Sequence, residues 1–190
     1  ASDVYKRQIQ GNRMGCPDDD GDGWDNLIDE LPNTPTQWLD QDGDGYGDNA
    51  TGLEADSCPG EAGTSTIDRF GCLDDDNDGI SNLNDAFPND PTRSQDTDGD
   101  GFDDLEDNCI SVAGNSTQDR TGCPDTDGDG YSDETPPSEG VLGWNISDGA
   151  DAFPLEQSQW ADQDGDGYGD NSSGFEADDC PAEEGYSNVG

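Results

Sequence analysis

Residues 96–109 read Asp-Thr-Asp-Gly-Asp-Gly-Phe-Asp-Asp-Leu-Glu-Asp-Asn-Cys. Carboxylates stand at places 1, 3, 5, 9 and 12 of this run, with glycine at place 6. Three alternate acids lie along one edge of an extended chain. They converge on a single point only if the backbone curls, and the glycine permits that curl. The stretch therefore reads as a closed loop lined with oxygen, neither helix nor strand.

Its first half, Asp-x-Asp-x-Asp-Gly, occurs six times, at Asp18, Asp40, Asp74, Asp96, Asp125 and Asp162 (loops 1 to 6). Convergent oxygens at this spacing suit a hard cation that takes 6–8 oxygen ligands, which implies calcium loops of the EF-hand kind. The expected ligands at positions 1, 3 and 5 are Asp18, Asp20 and Asp22; Asp40, Asp42 and Asp44; Asp74, Asp76 and Asp78; Asp96, Asp98 and Asp100; Asp125, Asp127 and Asp129; and Asp162, Asp164 and Asp166. Position 9 is oxygen-bearing throughout: Asn26, Asp48, Asn82, Asp104, Asp133 and Asp170. Position 7 would give a backbone carbonyl and holds Trp24, Tyr46, Ile80, Phe102, Tyr131 and Tyr168.

The closing carboxylate tests this register. Asp29, Asp85 and Asp107 stand at position 12. Asp56 and Asp178, two residues before a cysteine, are displaced by five, and Asp151 by 15. Six or more calcium ions are thus expected. The large side chains at position 7, with Trp38 and Trp160 and with Leu31, Phe87 and Phe153 before prolines, are expected to staple loop to loop as a sparse core.

Composition agrees. Acids number 48 against 6 bases, for a formal charge of −42, and 38 of the acids are the short Asp. Leu, Ile, Val and Phe are too few to offset the entropy of ordering the chain. The fold is expected to form with metal and to be lost without it. Nucleic acid is excluded by sign. There is no His, and Lys6 is the one lysine, so no enzyme is expected. No apolar run of membrane-spanning length is present.

Three repeats open on Gly15-Cys16, Gly71-Cys72 and Gly122-Cys123, giving units 15–70, 71–121 and 122–190, the third with an insertion at 136–150. Residues 1–14 form a flank whose first eight, ASDVYKRQ, do not fit the repeats, VYKRQ resembling adapter read-through. Cys58 and Cys72, like Cys109 and Cys123, are separated by 13 residues in similar contexts. The simplest pairing is within each couple, each disulfide contributing roughly 3 kcal/mol in the chain-entropy model. An oxidising, extracellular or cell-surface setting follows. Cys16 and Cys180 remain; the place where a partner of Cys16 would fall is Ser2, and CPAEEGYSN after Cys180 begins a further such segment. A head-to-tail filament through these two cysteines, or a surface or matrix partner, is the expected association. Sequons at Asn49, Asn115, Asn145 and Asn171 mark possible glycosylation.

The run from Asp96 to Cys109 resembles a thrombospondin type 3 repeat, in which D-x-D-x-D-G-x-x-D-x-x-D-N-C is characteristic. The resemblance spans roughly 16–190, the insertions and the long inter-cysteine segments departing from it. It implies a mostly irregular, calcium-stabilised extracellular array of tandem loops, forming an extended rod or solenoid that serves as stalk, fibre or adhesion component. The alternatives are a dockerin or EF-hand-like partner-binding module and a calcium buffer. The first needs amphipathic helices beside each loop. Pro32, Pro88 and Pro154 stand where such helices would run.

Overall fold

The computed structural model describes residues 15–136 and 143–185. The 1–14 flank with Ser2, residues 137–142 of the insertion and 186–190 after Cys180 lie outside the described residues.

The chain is almost entirely irregular. Among the described residues, regular structure amounts to one 3₁₀ turn, Ile146–Asp148, and two isolated bridges, Thr135–Trp144 and Gly169–Ala177. This follows from the sequence: the loops must curl, and the polar, Gly- and Pro-containing segments between them carry no apolar period of helix or strand. The chain divides into two compact units, Ala1–Gln95 and Asp96–Gly190, so the boundary falls between loops 3 and 4.

In the first unit, loops 1 and 2 are joined by a turn in which Glu30 N–H donates to Trp38 C=O at 3.3 Å and Asp40 N–H donates to Glu30 Oε2 at 2.6 Å. Trp24 and Trp38 stack with centroids 6.2 Å apart. Loops 2 and 3 are joined by the segment closed by the Cys58–Cys72 disulfide, and Phe70 from that segment packs on Tyr46 at 5.7 Å. After loop 3, Ala86 N–H donates to Ser94 C=O, and the Arg93 guanidinium lies 3.8 Å from the Phe87 ring centroid.

The second unit repeats these devices. The Cys109–Cys123 disulfide closes the segment between loops 4 and 5. Tyr131 and Trp160 stack at 5.0 Å across the connection from loop 5 to loop 6. Arg120 lies 5.2 Å over Trp144. The position-7 side chains of loops 1, 2 and 5 thus staple neighbouring segments, as their spacing predicts.

The expected aromatic core takes a different form. Trp24, Trp38, Tyr46, Phe70, Tyr131 and Trp160 are half-buried. Among the described residues the fully enclosed side chains are, apart from Cys123, polar: Asp25, Ser65, Ser81, Gln37, Ser116, Ser132, Asp151 and Gln159. The only buried apolar residues among those described are Cys72, Cys123 and Ala150. A chain that curls its loops around their own carboxylates turns those side chains inward and leaves its aromatics half-buried.

Candidate metal centres

One hydrogen-bond pattern builds all six loops. At position 1 the carboxylate accepts from the N–H groups of positions 4 and 6. In loop 4 these are Gly99 N–H to Asp96 Oδ1 at 2.7 Å and Gly101 N–H to Oδ2 at 2.9 Å. The same pair of bonds recurs on Asp18, Asp40, Asp74, Asp125 and Asp162. At position 5 the carboxylate accepts from the position-7 N–H at 2.7–3.0 Å. At position 9 a side-chain oxygen of Asn26, Asp48, Asn82, Asp104, Asp133 or Asp170 accepts from the N–H of position 2, cinching the loop across its mouth.

Position 6 is a left-handed glycine in every loop, with φ from 91° at Gly167 to 105° at Gly23. Position 4 is left-handed as well, a requirement the sequence reading missed. Gly21, Gly43, Gly99, Gly128 and Gly165 occupy it, and in loop 3 Asn77 does so at φ 64°. Asn is among the non-glycine residues that tolerate this region best, so the signal was present in the sequence.

The closing carboxylates share one bond although their spacing varies. Each donates its N–H to the position-8 carbonyl: Asp29 to Asp25, Asp56 to Gly47, Asp85 to Ser81, Asp107 to Asp103, Asp151 to Ser132 and Asp178 to Gly169, all at 2.8–3.0 Å. Each also accepts, through Oδ1, the N–H two residues ahead: Leu31, Cys58, Phe87, Cys109, Phe153 and Cys180. In loops 2 and 6 the five extra residues are looped out between positions 9 and 12, and in loops 2, 5 and 6 the closing carboxylate returns to the same position-8 carbonyl.

These bonds leave oxygens over. In all six loops the position-3 carboxylate has a buried Oδ2 without a partner: Asp20, Asp42, Asp76, Asp98, Asp127 and Asp164. In Asp98 the other oxygen is unpartnered as well. The Oδ2 atoms of closing Asp29, Asp56, Asp151 and Asp178, and of position-5 Asp22 and Asp129, are in the same condition. A buried charged oxygen without a partner is costly, and several aimed at one point more so. In at least five loops one oxygen from each of positions 1, 3 and 5 lies within 4.8 Å of the others: Asp18, Asp20 and Asp22; Asp40, Asp42 and Asp44; Asp74, Asp76 and Asp78; Asp96, Asp98 and Asp100; Asp125, Asp127 and Asp129. The donor set is all oxygen. These clusters could hold metal cations of the hard, oxygen-binding kind.

The electrostatics say the same. Burial first, then the charges of Asp20, Asp29 and Asp18, pushes Asp22 above the usual carboxylate range. Burial likewise raises Asp29, Asp56, Asp107 and Asp129, with neighbouring carboxylates adding to it. Asp151, 1 % exposed, is lifted to about 7 by burial, with Asp129, Asp127 and Asp133 adding to it. A cation at the focus would reverse each of these pushes.

The cystine segments grip the loops on both sides. Backward, Gly63 N–H donates to Asp44 Oδ2 at 3.0 Å and Gly114 N–H to Asp100 Oδ2 at 2.9 Å. Forward, Asp68 accepts from Ser81 N–H and Oγ, and Asp119 from Ser132 N–H and Oγ. Burial pushes Asp68 up, but these bonds, with those from Asn84 and the Arg69 N–H, hold it at about 2. Arg69 and Arg120 each donate through Nη2 to a disulfide sulfur, Cys58 Sγ at 3.4 Å and Cys109 Sγ at 3.2 Å. Neither acid was singled out from sequence; the signal present was the repeated Asp-Arg-x-Gly-Cys context of the two cystine segments.

Cys16 and Cys180 are free thiols, half-buried and exposed respectively. Of the sequon amides, Asn49 Nδ2 donates to Thr36 C=O and Asn171 Nδ2 to Ser158 C=O, both at 2.7 Å. Asn145 caps the 3₁₀ turn by accepting Ser147 N–H, and Asn115 is exposed. No helix among the described residues is long and apolar enough to cross a membrane.

These features define a class: an irregular, disulfide-braced chain of repeated acidic loops that could hold cations. No protein-family model matches the chain, and no curated protein matches it either.

Proposed function

We propose that the chain is an extracellular structural calcium-binding repeat protein, a stalk, fibre or adhesion component in which bound calcium supplies rigidity. The observation that carries this reading is the unpartnered, buried position-3 oxygen repeated in all six loops. Calcium suits such a site better than magnesium. It accepts many carboxylate and carbonyl oxygens in flexible geometry, whereas magnesium keeps its waters and demands a near-ideal octahedron. Two disulfides and the resemblance of the loops to thrombospondin type 3 repeats favour a place outside the cell. Extracellular sites of this kind bind at about 10⁻⁴–10⁻³ M. An extended rod of stacked loops fits a chain with so little apolar surface to fold back on itself, and the reading assigns it no catalysis.

Self-association belongs to the same reading, end to end through the free thiols Cys16 and Cys180; a cell-surface or matrix ligand is the other partner it admits. A partner-binding module of the dockerin kind would need helices beside its loops, and among the described residues there is only the turn Ile146–Asp148.

The test is circular dichroism with light scattering on chelated protein, titrated with Ca²⁺ and separately with Mg²⁺. A cooperative change with Ca²⁺ alone is expected, with scattering that rises in parallel if the chain assembles. No change with Ca²⁺ would overturn the reading.

A further inference from the structure

Loops 2 and 6 reach their closing carboxylates across five extra residues, Asn49 to Leu53 and Asn171 to Phe175. An untethered insertion at that point would add closure entropy to the site and let the carboxylate wander. In both loops the glutamine three residues before position 1 takes up the slack. Gln37 and Gln159 are each 1 % exposed. Gln37 Oε1 accepts Asn49 N–H at 2.9 Å, and its Nε2 donates to the carbonyls of Asn49 and Leu53, both at 3.2 Å. Gln159 does the same with Asn171 N–H at 2.9 Å and with the carbonyls of Asn171 and Phe175 at 3.1 and 3.0 Å. The preceding residue completes each staple: Thr36 Oγ1 accepts Leu53 N–H, and Ser158 Oγ accepts Phe175 N–H, both at 2.8 Å.

The fit is tight. A Cβ on Gly47 or Gly52 would overlap the Gln37 side chain, and one on Gly169 or Gly174 would overlap that of Gln159. Just past each insertion a non-glycine residue is held left-handed, Glu54 at φ 48° and Glu176 at φ 47°. Such a conformation persists only where its surroundings impose it. The four loops without this five-residue extension carry Gly15, Gly71, Arg93 and Gly122 at the same offset. Glutamine and the extension occur together or not at all.

We propose that Gln37 and Gln159 are positioning residues that set the calcium affinity of loops 2 and 6. They do so by pinning the insertion so that Asp56 and Asp178 return to the carbonyls of Gly47 and Gly169. Neither glutamine supplies a ligand to the ion. The inference rests on the calcium reading above and deepens it.

The experiment uses the full chain with its disulfides intact, in four forms: wild type, Gln37→Leu, a deletion of residues 49–53, and both changes together. The deletion leaves Asp48-Glu-Ala-Asp56, the spacing of loop 4. Calcium affinities are read by titration calorimetry. Bound waters are counted from Tb³⁺ luminescence lifetimes in H₂O and D₂O. In Gln37→Leu, one site is expected to weaken roughly ten- to a hundred-fold, the effect typical of an outer-shell positioning group. Tb³⁺ in that loop should gain water as Asp56 drifts. In the deletion background Gln37→Leu should change neither reading, which a merely structural role would not predict. Unchanged affinities in Gln37→Leu, or a loss spread over many sites that the deletion does not rescue, would overturn the proposal. Failure of the wild type to bind calcium would instead remove the calcium reading and this inference with it.

Discussion

At the scale of single residues, the loops hold more negative charge than their own hydrogen bonds satisfy. Asp98 is the extreme case, with both carboxylate oxygens buried and unpartnered. Asp98→Asn should therefore act with opposite sign in two conditions. In chelator it removes an uncompensated charge and should raise stability, on the order of 1 kcal/mol. With calcium it removes a ligand and should weaken loop 4 at least ten-fold. Melting curves with and without calcium check both; the same sign in both would argue against an inward-facing ligand. Asp151 gives a pH dependence. Its folded pKa, about 7, lies above the ordinary carboxylate value. The metal-free protein thus keeps the whole of this group's contribution below about pH 4 and loses it as pH rises through 7. Chelated protein should melt higher at pH 5 than at pH 8, and calcium should release protons on binding and bind more weakly at pH 5. A chelated melting temperature flat across that range would contradict the assignment.

At the scale of elements, the cystine segment is the joint between loops. It donates Gly114 N–H to the position-5 carboxylate of loop 4 and accepts position 8 of loop 5 on Asp119. Breaking the Cys109–Cys123 bond as Cys109→Ser with Cys123→Ser should cost roughly 3 kcal/mol in the second unit. It should also raise the calcium concentration needed by loops 4 and 5 more than that needed by loop 6. Asp119→Asn, which keeps the shape but weakens the grip on Ser132, should lower stability by about 1 kcal/mol and weaken loop 5 first. Calcium titrations followed by amide NMR resolve the loops; an equal loss at loop 6 would show that the segment does not act locally.

At the scale of the whole molecule, charge dominates. Six divalent ions would bring the formal charge from −42 to about −30, so repulsion is reduced rather than abolished. The chelated chain should be expanded by this repulsion and should contract on calcium binding, which small-angle scattering measures directly. An unchanged radius of gyration would mean that the disulfides and hydrogen bonds hold the fold without metal. The division into Ala1–Gln95 and Asp96–Gly190 predicts that Asp98→Asn shifts the melting of the second unit and leaves the first in place.

The sequence by itself determined the loops. Ligand spacing, the glycine at position 6 and the cysteine couples are local patterns, and repetition made even the displaced closers Asp56, Asp151 and Asp178 legible. The absence of long helix and sheet among the described residues followed as well, because no stretch between loops is apolar enough to form them. Tertiary structure decided what occupies the interior and what ties one loop to the next. Gln37 and Gln159 recur three residues before position 1, and Asp68 and Asp119 each stand in Asp-Arg-x-Gly-Cys, but neither repeated context names a role for the side chain. Their roles exist only once the chain has folded back and placed a buried amide, or an exposed carboxylate, against backbone groups a dozen or more residues away. Partners at that distance are chosen by three-dimensional proximity, and the order of residues along the chain does not encode it in any short pattern.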